Sequence, residues 1–133
     1  MVGGVADTHA ALWHLYGDSR LSRRARDFIH ASAGAAQKIG VSSISLAEIV
    51  YLVEKQRIPA TAFEYLSEAV ADPDGVFQEI QLTQKIVRNM KTIVRQEVPD
   101  LPDRIIAATA LQLGVPVISR DGRIRASNVQ TIW

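Results

Sequence analysis

The sequence predicts an α/β fold, a three-layer α/β/α sandwich with a mostly parallel central sheet. Three observations support this prediction. Short apolar segments alternate along the chain with segments that carry an apolar stripe at helical spacing. Hydrophobic residues make up 47% of the chain and charged residues 22%, which is the balance of a globular protein. The length of 133 residues fits one domain that covers residues 1–133.

The first 44 residues are predicted to form a strand, two helices and a second strand. Residues 2–6 are a short apolar run, and residues 8–16 place apolar side chains on one side of a helix. Ser22 is positioned to cap a longer helix that continues to about residue 36. Gly40 is predicted to break this helix before a short strand around Val41, Ser43 and Ile44.

Two helices with the same start signal are predicted next. Ser45 and Glu48 form an S-x-x-E capping box, and an apolar stripe follows it within a helix over residues 45–57. Thr61 and Glu64 repeat this signature and start a helix that runs to residue 71.

The second half of the chain is predicted to supply three more strands and two more helices. Residues 72–75, D-P-D-G, are typical of a turn and precede a strand at 76–80. Apolar stripes predict helices over 83–95 and 103–113. Residues 115–119 and 129–133 are predicted strands, the second at a sheet edge. The dipeptide at 121–122, D-G, is typical of a turn between them.

Four carboxylates adjoin the predicted strands, and they are the candidate functional residues: Asp7, Glu48, Asp103 and Asp121. Ligands of parallel sheets bind at the carboxyl ends of the strands, so this rim is where a site is expected. Each residue also has a local explanation, as a helix cap, a capping-box member, a partner of a helix dipole or a turn residue. Local roles alone do not require the four to converge in space.

If the carboxylates converge, their charges must be compensated. Two carboxylates about 4 Å apart repel by roughly 4 kcal/mol at an effective dielectric constant near 20. Some are therefore protonated, or a divalent cation neutralises the group. Oxygen ligands without cysteine or a clear histidine set favour Mg²⁺ or Mn²⁺, and the natural chemistry is phosphodiester hydrolysis. Ser119 is placed to bond a metal-bound water, a carboxylate or nearby backbone.

The arginines are unevenly distributed although Lys and Arg, 15 together, nearly balance 14 Asp and Glu. An anionic partner must therefore be bound by a local patch. One arginine cluster lies near residue 20 and the other beside Asp121: Arg20, Arg23, Arg24 and Arg26, and Arg120, Arg123 and Arg125. The first cluster is equally consistent with a solvated helix face paired with Asp18 and Asp27. The second favours phosphate binding, because arginine contacts phosphate in a bidentate manner.

Several classes of protein are disfavoured by what the sequence lacks. The absence of cysteine excludes disulfides and thiolate zinc sites and suits a reducing cytoplasm. No secretory signal is expected, because residues 1–16 lack a positive start and carry Asp7 and two histidines inside their apolar stretch. No membrane span is expected, because even the richest apolar segment is cut by Glu48. Neither a P-loop, a G-x-S-x-G elbow nor a G-x-G-x-x-G motif is present. Receiver domains are disfavoured because the sequence lacks their phosphoacceptor Asp after the third predicted strand and their Lys after the fifth. Haloacid-dehalogenase-type phosphatases are disfavoured because Asp7 is followed by Thr8 and His9 and so starts no D-x-D motif.

Four motifs in order give the chain a resemblance to a known family: D-T-H-A-A-L-W-x-L, S-x-I-S-L-A-E-I, L-P-D-R-I-I-A-A-T-A-L-x-L-G-V-P and I-S-R-D-x-R-I. Over residues 7–133 the chain resembles the PIN-domain ribonucleases of the VapC toxin type. The resemblance implies a Mg²⁺- or Mn²⁺-dependent endoribonuclease acting on single-stranded or structured RNA. It also implies a small DNA-binding antitoxin that blocks the site, and a homodimer to which the apolar helix over 44–53 contributes.

The resemblance also assigns roles to individual residues. It makes the four rim carboxylates, Asp7, Glu48, Asp103 and Asp121, the acidic metal-binding set, with Ser119 at the family's Ser or Thr position. Arg104, Arg120 and Arg123 are the candidates for holding the substrate phosphate. A PIN-fold module that binds RNA or protein without turnover is the alternative.

Overall fold

A five-stranded parallel sheet forms the centre of the fold. The computed structural model describes residues 1–133 apart from the side chain of Ala126. The strands are β1 (Val2–Ala6), β2 (Lys38–Ser42), β3 (Phe77–Ile80), β4 (Val117–Ile118) and β5 (Thr131–Ile132). Their order in the sheet is β3-β2-β1-β4-β5, and every neighbouring pair is parallel. The chain first builds outward from β1 to β3 and then resumes on the other side, so the order reverses between β1 and β4.

Helices cover both faces of this sheet. They are α1 (Thr8–Tyr16), α2 (Arg23–Gly34), α3 (Ser43–Glu54), α4 (Ala62–Ala71), α5 (Gln84–Asn89), α6 (Leu101–Leu113) and α7 (Gly122–Ala126). Neighbouring strand residues point to opposite faces, which separates two cores. Ala6 and Ile118 pack with α1, α2 and α4, whereas Val5 and Val117 pack with α5 and α6. The predicted three-layer α/β/α class is therefore confirmed.

The second strand begins earlier than the sequence predicts. It covers Lys38–Ser42, and α2 ends at Gly34, so Gly40 lies inside the strand and does not break a helix. A Cβ atom at Gly40 would lie 2.8 Å from Ile80 Cγ1, so the glycine allows β3 to pack closely. The predicted strand residues Ser43 and Ile44 belong instead to the first turn of α3.

Both predicted capping boxes are wrong, although the two helices that they predicted are present. Ser42, not Ser45, caps α3, and its hydroxyl accepts a hydrogen bond from Ile44 N at 3.2 Å. Thr61 precedes α4 but makes no side-chain cap hydrogen bond. A serine or threonine three residues before a glutamate is also common inside helices, so the spacing alone does not fix the start.

The second half of the chain is less regular than predicted. Helix α5 ends at Asn89 and a 3₁₀ turn, Met90–Thr92, follows it. Helix α6 starts two residues early, because Asp100 caps it and Pro102 fits its first turn. The predicted turn at 121–122 is the start of α7, and β4 and β5 are shorter than expected. The predicted edge position of the last strand is confirmed.

None of the helices in the described part of the chain combines the length and the apolar character that crossing a membrane requires.

Candidate active site

One cavity of about 710 Å³ opens at the carboxyl end of the sheet, beside the point where the strand order reverses. Its acidic lining residues are the four predicted carboxylates and one more: Asp7, Glu48, Asp103, Asp121 and Asp100. Its cationic lining residues are Arg20, Arg120 and Arg123. Folding thus brings residues from four distant segments of the chain to one cavity.

Asp7 follows β1 and combines a local role with a place in the cavity. Its carboxylate accepts a hydrogen bond from Ala10 N at 2.8 Å and so caps α1. Its backbone N–H donates to the Ile118 carbonyl of β4 at 3.0 Å, which fixes it between the two strands. Burial raises the pKa of the Asp7 carboxyl, and a hydrogen bond from Ser119 partly opposes this effect.

Ser119 is fully buried directly after β4 and connects the carboxylate of Asp7 with the backbone of Asp121. Its hydroxyl donates to the Asp7 carboxylate and accepts the backbone N–H of Asp121 at 3.0 Å. The serine therefore bonds both a carboxylate and nearby backbone, the two protein contacts that its position in the sequence suggests.

The carboxylate of Glu48 is held by a hydrogen-bond network that contains two buried hydroxyl groups. The Thr8 hydroxyl lies 2.5 Å from Glu48 Oε1 and 2.9 Å from Ser45 Oγ. Because the carboxylate only accepts, Thr8 donates its proton to Glu48, which leaves the Ser45 hydroxyl to donate to Thr8. This network joins the first turn of α1 to α3 and orients Glu48 toward the cavity. Glu48 is thus in the second turn of α3, beyond the first turn in which the sequence predicted it.

Asp103 lies in the first turn of α6, and the pKa of its carboxyl is raised, as is that of Asp7. Burial is the largest influence and the negative charges of Asp100, Asp121, Asp7 and Glu48 add to it, which together raise the pKa of Asp103 to about 7. Repulsion of this kind requires that the acidic groups lie near one another. The structure thus brings together all four carboxylates that the sequence selected.

Asp121 caps α7 and lies at the cavity. Its carboxylate accepts hydrogen bonds from Arg123 N at 2.8 Å and Ile124 N at 3.3 Å. As with Asp7, a local cap explains the backbone contacts, and the topology of the sheet explains the position in the cavity.

The chemistry of these residues fits a hard divalent cation. All the acidic ligands offer oxygen, which Mg²⁺ and Mn²⁺ prefer. Burial raises the pKa of Asp7 and of Asp103, and the neighbouring acidic charges raise that of Asp103 further, so a cation in the cavity would favour both carboxylates. In the described part of the chain, however, no three His, Asp or Glu side chains already surround a common point. Binding would therefore draw carboxylates from the walls of the cavity toward the ion.

The three arginines predicted to hold substrate differ in position. Arg120 and Arg123 line the cavity, and Arg20, from the first cluster, lines it as well. Arg104 does not line it: its guanidinium donates to the carbonyls of Met90 at 2.8 Å and Ile93 at 3.2 Å. The prediction for Arg104 is corrected accordingly, since this side chain ties α6 to the 3₁₀ turn.

Sequence reasoning did not select Thr8, Trp13 or Asp100 for this cavity, and it left Arg20 open between phosphate binding and a solvated helix face. Asp100 carries a recognisable signal, an aspartate three residues before Asp103, whose backbone N–H it accepts at 3.0 Å. Trp13 lies within the apolar helical pattern of residues 8–16, which predicts a core position. It is indeed largely buried, yet its ring also supports two arginines, with their guanidinium carbons 4.7 Å (Arg120) and 5.0 Å (Arg20) from the ring centroid.

Comparison with known proteins identifies the family of the chain. The family model for the PIN domain matches residues 5–128, and the chain belongs to this family. A curated relative is Ribonuclease VapC22 of Mycobacterium tuberculosis (strain ATCC 25618 / H37Rv), 28% identical over 130 residues, 96% of this chain and 95% of the relative. The family resemblance seen in the motifs is confirmed.

Solved structures of low sequence identity share the fold. One is the crystal structure of VapBC2 from Rickettsia felis bound to a DNA fragment from their promoter, with a TM-score of 0.70 and 16% identity. The match covers 98% of this chain and 97% of that one. Another is a toxin–antitoxin complex from Klebsiella pneumoniae, with a TM-score of 0.62, 21% identity and the same coverage.

Proposed function

We propose that this protein is a divalent-metal-dependent endoribonuclease and the toxin of a toxin–antitoxin pair, with residues 1–133 as its single nuclease domain. The observation that carries the proposal is the gathering of Asp7, Glu48, Asp103 and Asp121 in one arginine-rimmed cavity at the strand ends. Membership of the PIN family and the similarity to a VapC ribonuclease support it.

In this proposal Asp7, Glu48 and Asp103 hold one Mg²⁺ or Mn²⁺ ion directly or through water, and Asp121 helps to hold it or a second ion. Such an ion, when bound, polarises a phosphate and lowers the pKa of a water molecule, which suits hydrolysis of the RNA backbone. Ser119 orients Asp7, and Thr8 orients Glu48, through the hydrogen bonds described above. Arg120 and Arg123 bind backbone phosphates of the RNA from the rim of the cavity.

The proposed partners follow from the same family. Both similar structures are toxin–antitoxin complexes, which supports a small DNA-binding antitoxin as the partner that blocks the cavity. A homodimer is proposed with α3 at its interface, because Val50 and Tyr51 on this helix are exposed.

Replacement of one carboxylate tests the enzymatic proposal. Asp7→Asn keeps the shape of the side chain and its cap acceptor but removes the charge, so we expect the fold to persist and divalent-dependent cleavage to be lost. The assay is degradation of total RNA with Mg²⁺ and with EDTA. Asp27→Asn, an identical change on the exposed face of α2, is the matched control and should cleave as the parent does. Full activity of Asp7→Asn would refute the assignment.

A PIN-fold module that binds without turnover is the second candidate. It is favoured by one observation, that no three acidic side chains of the described residues are already gathered around one point. Such a module would show no divalent-dependent cleavage and no thermal response to Mn²⁺.

A further inference from the structure

Two arginines at the cavity rim lie over an aromatic ring instead of pairing with the carboxylates of the cavity. The guanidinium carbons of Arg120 and Arg20 are 4.7 Å and 5.0 Å from the centroid of a Trp13 ring. A cation–π contact holds a cation through the quadrupole of the ring and leaves its charge in place. Within the described residues, Arg120 forms no ion pair with a carboxylate, although Asp121 is its neighbour in sequence.

The ring that supports these cations is itself fixed. Trp13 is 7% exposed and belongs to the core on the α1 face of the sheet. The His9 and Trp133 rings pack against it at centroid distances of 5.6 Å and 5.9 Å. Trp13 is therefore a rigid support that positions two positive charges next to a group of negative ones.

Arg20 is held in addition by an acidic neighbour outside the carboxylate group. Its Nε and one terminal nitrogen donate to the two carboxylate oxygens of Asp18 at 3.1 Å and 2.7 Å. This leaves further N–H donors of the guanidinium free for an external acceptor. A side chain that is already ordered loses less conformational entropy when a ligand binds.

We propose that Arg20 and Arg120, supported by Trp13, bind backbone phosphates of a single-stranded RNA that flank the phosphate placed at the carboxylates. The inference rests on the proposed function and adds binding residues to it. Two neighbouring cations repel each other, and a strand with a phosphate at every nucleotide relieves this repulsion. Arginine suits that contact because its planar guanidinium matches phosphate oxygens.

The space around Arg20 agrees with a strand that continues beyond the acidic cavity. A second cavity of about 210 Å³ shares His9, Trp13 and Arg20 with the first, and Arg57 adds another positive charge to its lining. A strand that leaves the carboxylates over Arg20 thus meets a second cavity in which Arg20 and Arg57 outnumber one carboxylate, that of Asp18, which is paired with Arg20. An acidic segment of a protein would also suit two arginines, but the adjacent site for phosphodiester chemistry favours RNA.

The salt dependence of RNA binding tests the inference. Removing one arginine that binds a phosphate of a single strand flattens the slope of log K against log salt by about 0.7. We expect this change for Arg20→Gln and for Arg120→Gln, and about twice this change for the double variant. The probe is a fluorescein-labelled single-stranded oligouridine, followed by anisotropy over a KCl series. In this experiment the parent and all variants carry Asp7→Asn, and EDTA is present, so the RNA stays intact.

Arg24→Gln is the matched control, because it removes one exposed arginine of the same cluster that lines neither cavity. It should leave the slope unchanged. Trp13→Phe keeps an aromatic support and should retain the parent slope, whereas Trp13→Leu should flatten it. Circular dichroism before binding ensures that only folded variants are compared, and the two arginine variants, at exposed positions, keep the test decisive if Trp13→Leu fails to fold.

The inference would be overturned by equal slopes for the parent, Arg20→Gln and Arg120→Gln, or by a parent that does not bind the oligouridine. Equal flattening in Arg24→Gln would also overturn it, since net charge alone would then explain the effect. Failure of the proposed function looks different. In that case the chain with its native Asp7 leaves RNA uncut in Mg²⁺, while the slopes still separate the rim arginines from Arg24.

Discussion

The carboxyl of Asp103 is poised between two protonation states near neutral pH. Its folded pKa of about 7 lies above the ordinary value of 3.8, because burial and the neighbouring acidic charges disfavour the carboxylate. Without a metal ion, the folded chain therefore holds a proton that the unfolded chain releases at a much lower pH. A cation in the cavity would favour the carboxylate and so lower this pKa. The same group thus connects stability, pH and metal binding.

This linkage predicts how the metal-free protein responds to pH. Since the folded state binds the extra proton, the contribution of Asp103 to the free energy of unfolding rises as pH falls from about 8 through 7 toward 5. Asp103→Asn removes this contribution. Because the group is partly exposed and screened by solvent, we expect the variant to be about 1–2 kcal/mol more stable than the parent near pH 8.

Urea unfolding in EDTA at a series of pH values measures this difference. The difference in the free energy of unfolding between parent and variant should shrink as pH falls. Because this is a difference between two proteins, it excludes the effect of other groups such as His14, whose pKa is lowered by burial. A constant difference across the series would contradict the raised pKa of Asp103.

The Thr8 hydroxyl predicts a second effect of a single side chain. Thr8→Val keeps the shape of the side chain but removes its hydroxyl. The hydrogen bond to Glu48 is then lost, and the buried Ser45 hydroxyl loses its acceptor. Loss of such buried hydrogen bonds typically destabilises by about 1–3 kcal/mol. We expect this loss in urea unfolding together with a lower cleavage rate, because Glu48 is no longer oriented. Thr61→Val, at an exposed cap without a side-chain hydrogen bond, is the control and should change little.

The candidate site was predictable from sequence where a general rule of topology applies. Asp7 and Asp121 follow buried apolar segments, and strand ends of a parallel sheet meet at one edge. The role of Thr8 was not predictable in this way, because its partner Glu48 lies 40 residues away and the contact depends on the packing of α1 against α3. The role of Arg20 could not be decided from the sequence for the same reason, because its contact with Trp13 exists only after the loop before α2 has folded.

Helices were located more reliably than their ends. The apolar stripes of α1, α3 and α6 survive small shifts of boundary, whereas a cap depends on one backbone conformation. Ser42 replaces the predicted Ser45 as the cap of α3 because β2 ends there and the chain turns directly into the helix. With two and five residues, β4 and α7 are too short to show a hydrophobic period, so their limits could not be predicted from the sequence.

The close packing of β2 against β3 predicts the cost of a side chain at Gly40. Gly40→Ala places a Cβ atom 2.8 Å from Ile80 Cγ1, so Ile80 must move. Overpacking of this kind destabilises by about 1–3 kcal/mol, which urea unfolding measures directly. Gly34→Ala is the control, because a Cβ there meets no atom within 4 Å. An unchanged free energy of unfolding in Gly40→Ala would mean that Ile80 can move aside without strain.

Across the entire chain, the fold unites carboxylates from residue 7 to residue 121, so an ion that binds them also ties the sheet to α3 and α6. Binding to the folded state alone raises its stability, by about 2.7 kcal/mol when the free ion is at one hundred times its dissociation constant. We therefore expect Mn²⁺ to raise the melting temperature of the parent. The rise should be larger near pH 8 than near pH 6, because the ion must displace the proton of Asp103.

Differential scanning fluorimetry over a Mn²⁺ titration measures this rise. KCl at matched ionic strength separates it from simple screening of the acidic cavity, which would also relieve some repulsion. Asp7→Asn and Asp103→Asn should both weaken the response, whereas Asp27→Asn, outside the cavity, should respond as the parent does. If Mn²⁺ leaves the parent's melting temperature unchanged, the acidic cavity is not a cation site. The chain would then keep the PIN fold without the ion that the proposed chemistry requires.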